Sequence, residues 1–184
     1  MKKVGLYPGT FDPITFGHLD IVRRASLVVD TLYVGIATNK NKKTLFTPSE
    51  RVEIVENSLK SSLKSTKNIK VVTFDTLTVN FCNKIKASII FRGLRVVTDF
   101  EYEFQLAGMN NRLDKKIQTI FLMADIENQL ISSNMVKEIA ELGGNVSKFA
   151  PYEAIVYLNK KLKNKKWNLY YLNLYFYYSC FYQH

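Results

Sequence analysis

"YPGTFDPITFGH", residues 7–18, decides the fold. It follows a strand-like run, "KVGLY" (3–7), and leads into a helix-patterned stretch expected over about 17–29. Further β-rich runs lie at 31–38, 69–74, 88–93 and 118–123, and helical periodicity is expected over about 48–62, 77–86, 99–113, 133–142 and 151–162. Nearly continuous apolar strands separated by amphipathic helices read as a parallel sheet covered on both faces. The expectation is a single α/β domain, a Rossmann-like, doubly wound, five-stranded parallel sheet. Thr47-Pro48-Ser49-Glu50 sharpens the second helix, with an N-cap threonine, a first-turn proline and a capping-box glutamate. No internal repeat is visible.

In such a sheet, ligands bind outside the carboxyl ends of the strands, where residues 9–18 fall. Gly9 and Gly17 are read as letting the backbone come close to a ligand, and Pro8 and Pro13 as stiffening the loop. His18 then stands in the first turn of a helix, beside unpaired N–H groups and the positive end of the helix dipole, which makes a phosphate site. The chain has one other histidine, His184 at its end, so imidazole chemistry in the folded body rests on His18. The bland alternative is a histidine that merely caps or packs. Neither the P-loop nor the G-x-G-x-x-G spacing is present.

The 184 residues carry a formal charge of +10, but residues 160–184 hold five lysines and no acid, which leaves +5 on the rest. That excess suits phosphorylated small molecules better than a polynucleotide, and no membrane-spanning run is present, so neither a nucleic-acid nor a membrane partner is expected. Cys82 and Cys180 match no metal or disulfide spacing, as in a reducing cytosol, and with no signal peptide visible the protein is expected to be cytoplasmic. The last 18 residues, "WNLYYLNLYFYYSCFYQH", contain nine of the chain's 24 aromatic residues and no charge. They are read as a dispensable extension, the sharper alternative being a membrane or partner anchor. The expected domain is therefore 1–163, with 164–184 outside the fold.

Thr15-Phe16-Gly17-His18 resembles the signature of the (H/T)-x-G-H nucleotidyltransferases. Three further stretches, "KKTLFTPSERV" (42–52), "FRGLRVVTDFEYEFQLAGMN" (91–110) and "FLMADIENQLISSNMVKE" (121–138), narrow the likeness to the bacterial phosphopantetheine adenylyltransferase family, from residue 1 to about 163. The resemblance implies transfer of the adenylyl group of ATP to 4'-phosphopantetheine, giving dephospho-coenzyme A and pyrophosphate. It also implies Mg²⁺ screening the triphosphate, no metal-ligating side chain, and a homohexamer. By the family's pattern, His18 donates to the α-phosphate and Thr10 holds the incoming phosphate. Lys42, Thr78 and Arg92 fall on the phosphopantetheine side, although Lys42 stands in a lysine run and Thr78 in an ordinary helix start. Thr10, Phe11, His18, Gly93, Leu94, Arg95, Glu103 and the run Asn128, Gln129, Leu130, Ile131, Ser132, Ser133, Asn134 match the ATP-binding stretches. Glu103 could equally form a structural pair with Arg95.

The sequence departs from the family at three places. Asn128 stands where an aromatic residue usually precedes the I-S-S-S run, Asn134 replaces its last serine, and Ala124 replaces a common proline. Two rival readings are a cytidylyltransferase or nicotinamide mononucleotide adenylyltransferase of the same superfamily, which RGLR followed by D-F-E-Y-E argues against, and a basic nucleic-acid-binding protein that has lost catalysis. The latter lacks aromatic platforms and a recognition helix.

Overall fold

A computed structural model describes residues 2–38, 43–95 and 97–163, with side chains at 97–99 left aside. Its strands are β1 (Val4–Gly9), β2 (Thr31–Ala37), β3 (Ile69–Phe74), β4 (Ile89–Leu94) and β5 (Gln118–Met123). Its helices are α1 (Phe16–Ser26), α2 (Pro48–Ser62), α3 (Thr78–Ile85), α4 (Val97–Leu113) and α5 (Ser133–Glu141), followed by α6 over 152–163. A single 3₁₀ turn, Ile126–Asn128, links β5 to α5.

All strand pairs are parallel, and the order is β3-β2-β1-β4-β5. The Rossmann-like sheet expected from the sequence is thus present, with strand boundaries within two residues of those read from the pattern. Alternation along β1 explains how both faces are filled. Tyr7 belongs to a core that also holds Leu19, Ile54, Val136 and Leu158, so α1, α2, α5 and α6 meet one face. Leu6 turns the other way to Phe74, Val79, Phe81 and Cys82, so α3 covers the opposite face. Cys82 is fully buried, which pushes its thiol up to about 12, consistent with a packing role.

The helix signals fold as their chemistry requires. Thr47 Oγ1 accepts the Glu50 N–H, and Glu50 Oε2 accepts the Thr47 N–H at 2.8 Å, closing the capping box. Glu50 also pairs with Lys161 of α6 at 2.9 Å, so one residue caps α2 and fastens the last helix to it. Strand order reverses between β1 and β4, which opens a crevice beyond their carboxyl ends.

Candidate active site

The crevice is a cavity of about 1260 Å³. Around it stand Thr10, Phe11 and His18 from the β1–α1 segment, Arg92, Gly93 and Arg95 from the end of β4, Glu103 from α4, Thr78 from α3, and Ile131 to Asn134 at the start of α5. Residues up to 124 positions apart in sequence, Thr10 and Asn134 among them, are therefore brought together. Leu94, Asn128, Gln129 and Leu130 do not line it. Leu94 is buried in the strand, while Leu130 faces solvent. Asn128 packs beside Gly17, where an added Cβ would lie 3.6 Å from it. Lys42 lies outside the described residues; its neighbour Lys43 lines the cavity.

His18 is the third residue of α1 and caps that helix from within. Thr15 is the N-cap; its backbone N–H donates to His18 Nδ1 at 3.1 Å, and its hydroxyl lies 2.8 Å from the same nitrogen. A ring nitrogen that accepts a backbone N–H carries no proton, so the neutral imidazole holds its proton on Nε2. Burial, with the Arg95 guanidinium nearby, lowers the imidazole to about 4. At neutral pH the side chain is therefore an uncharged N–H donor. The capping expected of a bland helix-start histidine is present, and it is what fixes the tautomer.

The glycine before the motif answers to the packing of the loop itself. A Cβ at Gly9 would stand 2.8 Å from the Phe11 ring, and Phe11 itself adopts φ 49°, in the left-handed region that aromatic side chains rarely enter. Gly17 lines the cavity, and the protein itself leaves ordinary space for a Cβ there. Two side chains anchor this bend. Asp12, buried, accepts the N–H groups of Leu45 and Phe46, both at 2.9 Å, and pairs with Lys137 of α5 at 2.9 Å. Arg51 of α2 donates to the Thr10 carbonyl at 2.7 Å and the Ala37 carbonyl at 3.0 Å. The Asp12–Pro13 peptide is cis.

Glu103 pairs with Arg92 and not with Arg95. The Arg92 Nε donates to Glu103 at 2.6 Å, Nη2 donates to its second oxygen, and Nη1 donates to the Pro8 carbonyl at 2.9 Å. This two-pronged bond holds the guanidinium plane at the cavity wall, and the carboxylate beside it keeps Arg92 protonated. Arg95 Nη1 instead donates to the Ile131 carbonyl at 3.1 Å, tying β4 to the turn before α5. The two serine hydroxyls act differently: Ser132 Oγ caps α5 by accepting the Met135 N–H, which leaves its own O–H proton to donate elsewhere, and Ser133 donates to the Pro13 carbonyl at 2.8 Å. Asn134 is therefore the second residue of α5, not its cap. What the helix offers a phosphate is its first-turn N–H groups, its dipole and the Ser132 O–H.

Asp12, Arg51 and Lys137 were not singled out from the sequence, since their partners lie between 14 and 125 residues away. Among the described residues no three His, Cys, Asp or Glu side chains gather as a metal cage. Of the acids facing the cavity, Asp12 and Glu103 are engaged with Lys137 and Arg92. This donor set fits a cation carried in on phosphate oxygens, as Mg²⁺ is, with several of its waters retained.

A cavity at the strand-order reversal of a parallel sheet, with a helix-start histidine and two arginines, defines a nucleotidyltransferase-type site, and comparison with known proteins narrows the class. The cytidylyltransferase-like family model matches residues 6–139. A phosphopantetheine adenylyltransferase of Pelagibacter ubique is 51% identical over 162 residues, covering 88% of this chain and 99% of that one. The enzyme of the same name from Caulobacter vibrioides is 54% identical over 149 residues, covering 81% and 91%. A solved structure of Plasmodium falciparum nicotinic acid mononucleotide adenylyltransferase superposes with a TM-score of 0.66 at 16% identity, covering 87% of this chain and 96% of that one, which speaks for the fold alone. The chain belongs to the phosphopantetheine adenylyltransferases, within the cytidylyltransferase-like nucleotidyltransferases.

Proposed function

We propose that the protein joins ATP to 4'-phosphopantetheine, giving dephospho-coenzyme A and pyrophosphate. An oxygen of the acceptor phosphate attacks the α-phosphorus of ATP; the bond from that phosphorus to the β-phosphate bridging oxygen breaks, and pyrophosphate leaves with the electron pair. Such a transfer asks the protein for placement and positive charge, with no covalent nucleophile.

The observation that carries this reading is the fixed tautomer of His18. A neutral Nε2–H held at a helix N-terminus, close to Arg95, suits the charge that builds on the α-phosphate oxygens, and it needs no proton uptake to act. Thr10 receives the acceptor phosphate. Arg92, oriented by Glu103, faces it with its remaining donors, and Lys42, beside Lys43 in the sequence, supplies a further positive charge. Gly93, Arg95 and the first turn of α5 take the triphosphate, and Thr78 borders the pantetheine arm. Mg²⁺ bound to the triphosphate supplies charge screening. A cytoplasmic setting and a homohexamer accompany this reading on the resemblance to the family.

Mass spectrometry of a mixture of ATP and 4'-phosphopantetheine with the protein tests it. Dephospho-coenzyme A should accumulate in step with pyrophosphate; ATP consumption with no adenylylated acceptor would refute the reading.

A further inference from the structure

Arg51 is a charged side chain almost sealed from solvent, at 2% exposure. Among the described residues it has no carboxylate partner in hydrogen-bond contact, and its buried Nε meets no acceptor at all. The acid whose charge reaches it is Asp12, whose oxygens are already taken by Leu45, Phe46 and Lys137. A buried, incompletely paired cation is costly, and a neutral donor would serve if two carbonyls merely had to be bridged.

The two carbonyls it bridges are informative. Ala37 ends β2, just before the segment that leads to Lys43, and Thr10 opens the bend at the end of β1. The Thr10–Phe11 peptide is trans and planar, so its N–H points opposite to its carbonyl. With the carbonyl bound to Arg51, the Phe11 N–H of the same peptide points away from the guanidinium, and both residues of that peptide line the cavity. The left-handed Phe11 needs such an external hold, because the bend is unfavourable on its own.

We propose that Arg51 is a positioning residue for the transfer: it locks the 10–11 peptide so that its N–H faces the reacting phosphates, and it places a fixed positive charge beneath the acceptor phosphate. Asp12 and Lys137 hold the other side of the same bend, which leaves one excess positive charge among the three buried or half-buried groups. The inference rests on the proposed adenylyl transfer, from which it takes the place of the acceptor phosphate.

Two variants test it. Arg51→Lys keeps the charge and loses the planar fork, while Arg51→Met keeps the volume and loses both. In the full chain with ATP and 4'-phosphopantetheine, Arg51→Lys should lower kcat by about tenfold or more with KM for ATP changed less than about twofold, and Arg51→Met should lower kcat further. Calorimetric titration with inorganic phosphate should show affinity weakened about fivefold or more in Arg51→Met. Folded variants with wild-type kcat and wild-type phosphate affinity would overturn the proposal. So would failure of both variants to fold, since that assigns Arg51 to stability alone. An inactive wild type whose phosphate affinity still depends on Arg51 would instead refute the adenylyl-transfer reading and leave the anion-positioning role standing.

Discussion

Thr15 and His18 hold each other in both directions: the Thr15 N–H donates to His18 Nδ1 at 3.1 Å, and Thr15 Oγ1 accepts the His18 N–H at 3.5 Å. The reciprocal pair caps α1 and leaves the imidazole proton on Nε2. His18→Ala should lower kcat by about 10² to 10³, the usual loss of a transition-state donor, with ATP affinity little changed. Steady-state kinetics and equilibrium ATP binding check the split; near wild-type kcat would remove His18 from the mechanism.

The same pair gives a pH signature. The His18 imidazole falls from an ordinary 6.5 to about 4 in the fold, so between those values the unfolded chain binds the proton and the folded one does not. Stability from this group is complete above about 6.5 and is lost as pH falls toward about 4, with a slope of up to about 1.4 kcal/mol per pH unit. Denaturant unfolding at pH 4.5, 5.5 and 7 (about these values) should show a shallower decline in His18→Gln than in wild type. Equal slopes would mean that the imidazole is not held neutral.

Glu103 acts through Arg92. Glu103→Gln should raise KM for the phosphorylated acceptor several-fold, on the order of the 1.5–3 kcal/mol of a charged hydrogen bond at most, and should leave KM for ATP nearly unchanged. A change confined to ATP would place Glu103 at the nucleotide instead.

Asn134 lines the cavity as the second residue of α5, with Ser132 as the cap. Asn134→Ser should therefore leave stability within about 1 kcal/mol and improve KM for ATP or kcat by a few-fold, the scale of one hydrogen bond. Unchanged or worse constants would show that the amide is already accommodated.

The parallel sheet was legible because period-two and period-3.6 patterns are local, and α2 because its four-residue start carries its own hydrogen bonds. His18 was legible because a helix start after a strand end is a short-range feature. Lining residues from four separate stretches were reached through the family resemblance, and three of those assignments fit less simply. Asn128 to Leu130 stand outside the wall, the Ser133 hydroxyl proton is spent within the protein, and Glu103 grips Arg92. What local pattern could not give was the frame beneath the bend. The Asp12–Lys137 and Arg51–Thr10 contacts span 125 and 41 residues, and nothing in either sequence neighbourhood marks its partner.

The most direct measurement is pyrophosphate release from ATP across a panel of phosphorylated acceptors: 4'-phosphopantetheine, nicotinamide mononucleotide, nicotinic acid mononucleotide and glycerol phosphate, with CTP run beside ATP. The account predicts turnover with ATP and 4'-phosphopantetheine, lost in His18→Ala, and background rates for every other pair. Turnover that prefers a mononucleotide acceptor or CTP, or that persists in His18→Ala, would contradict it.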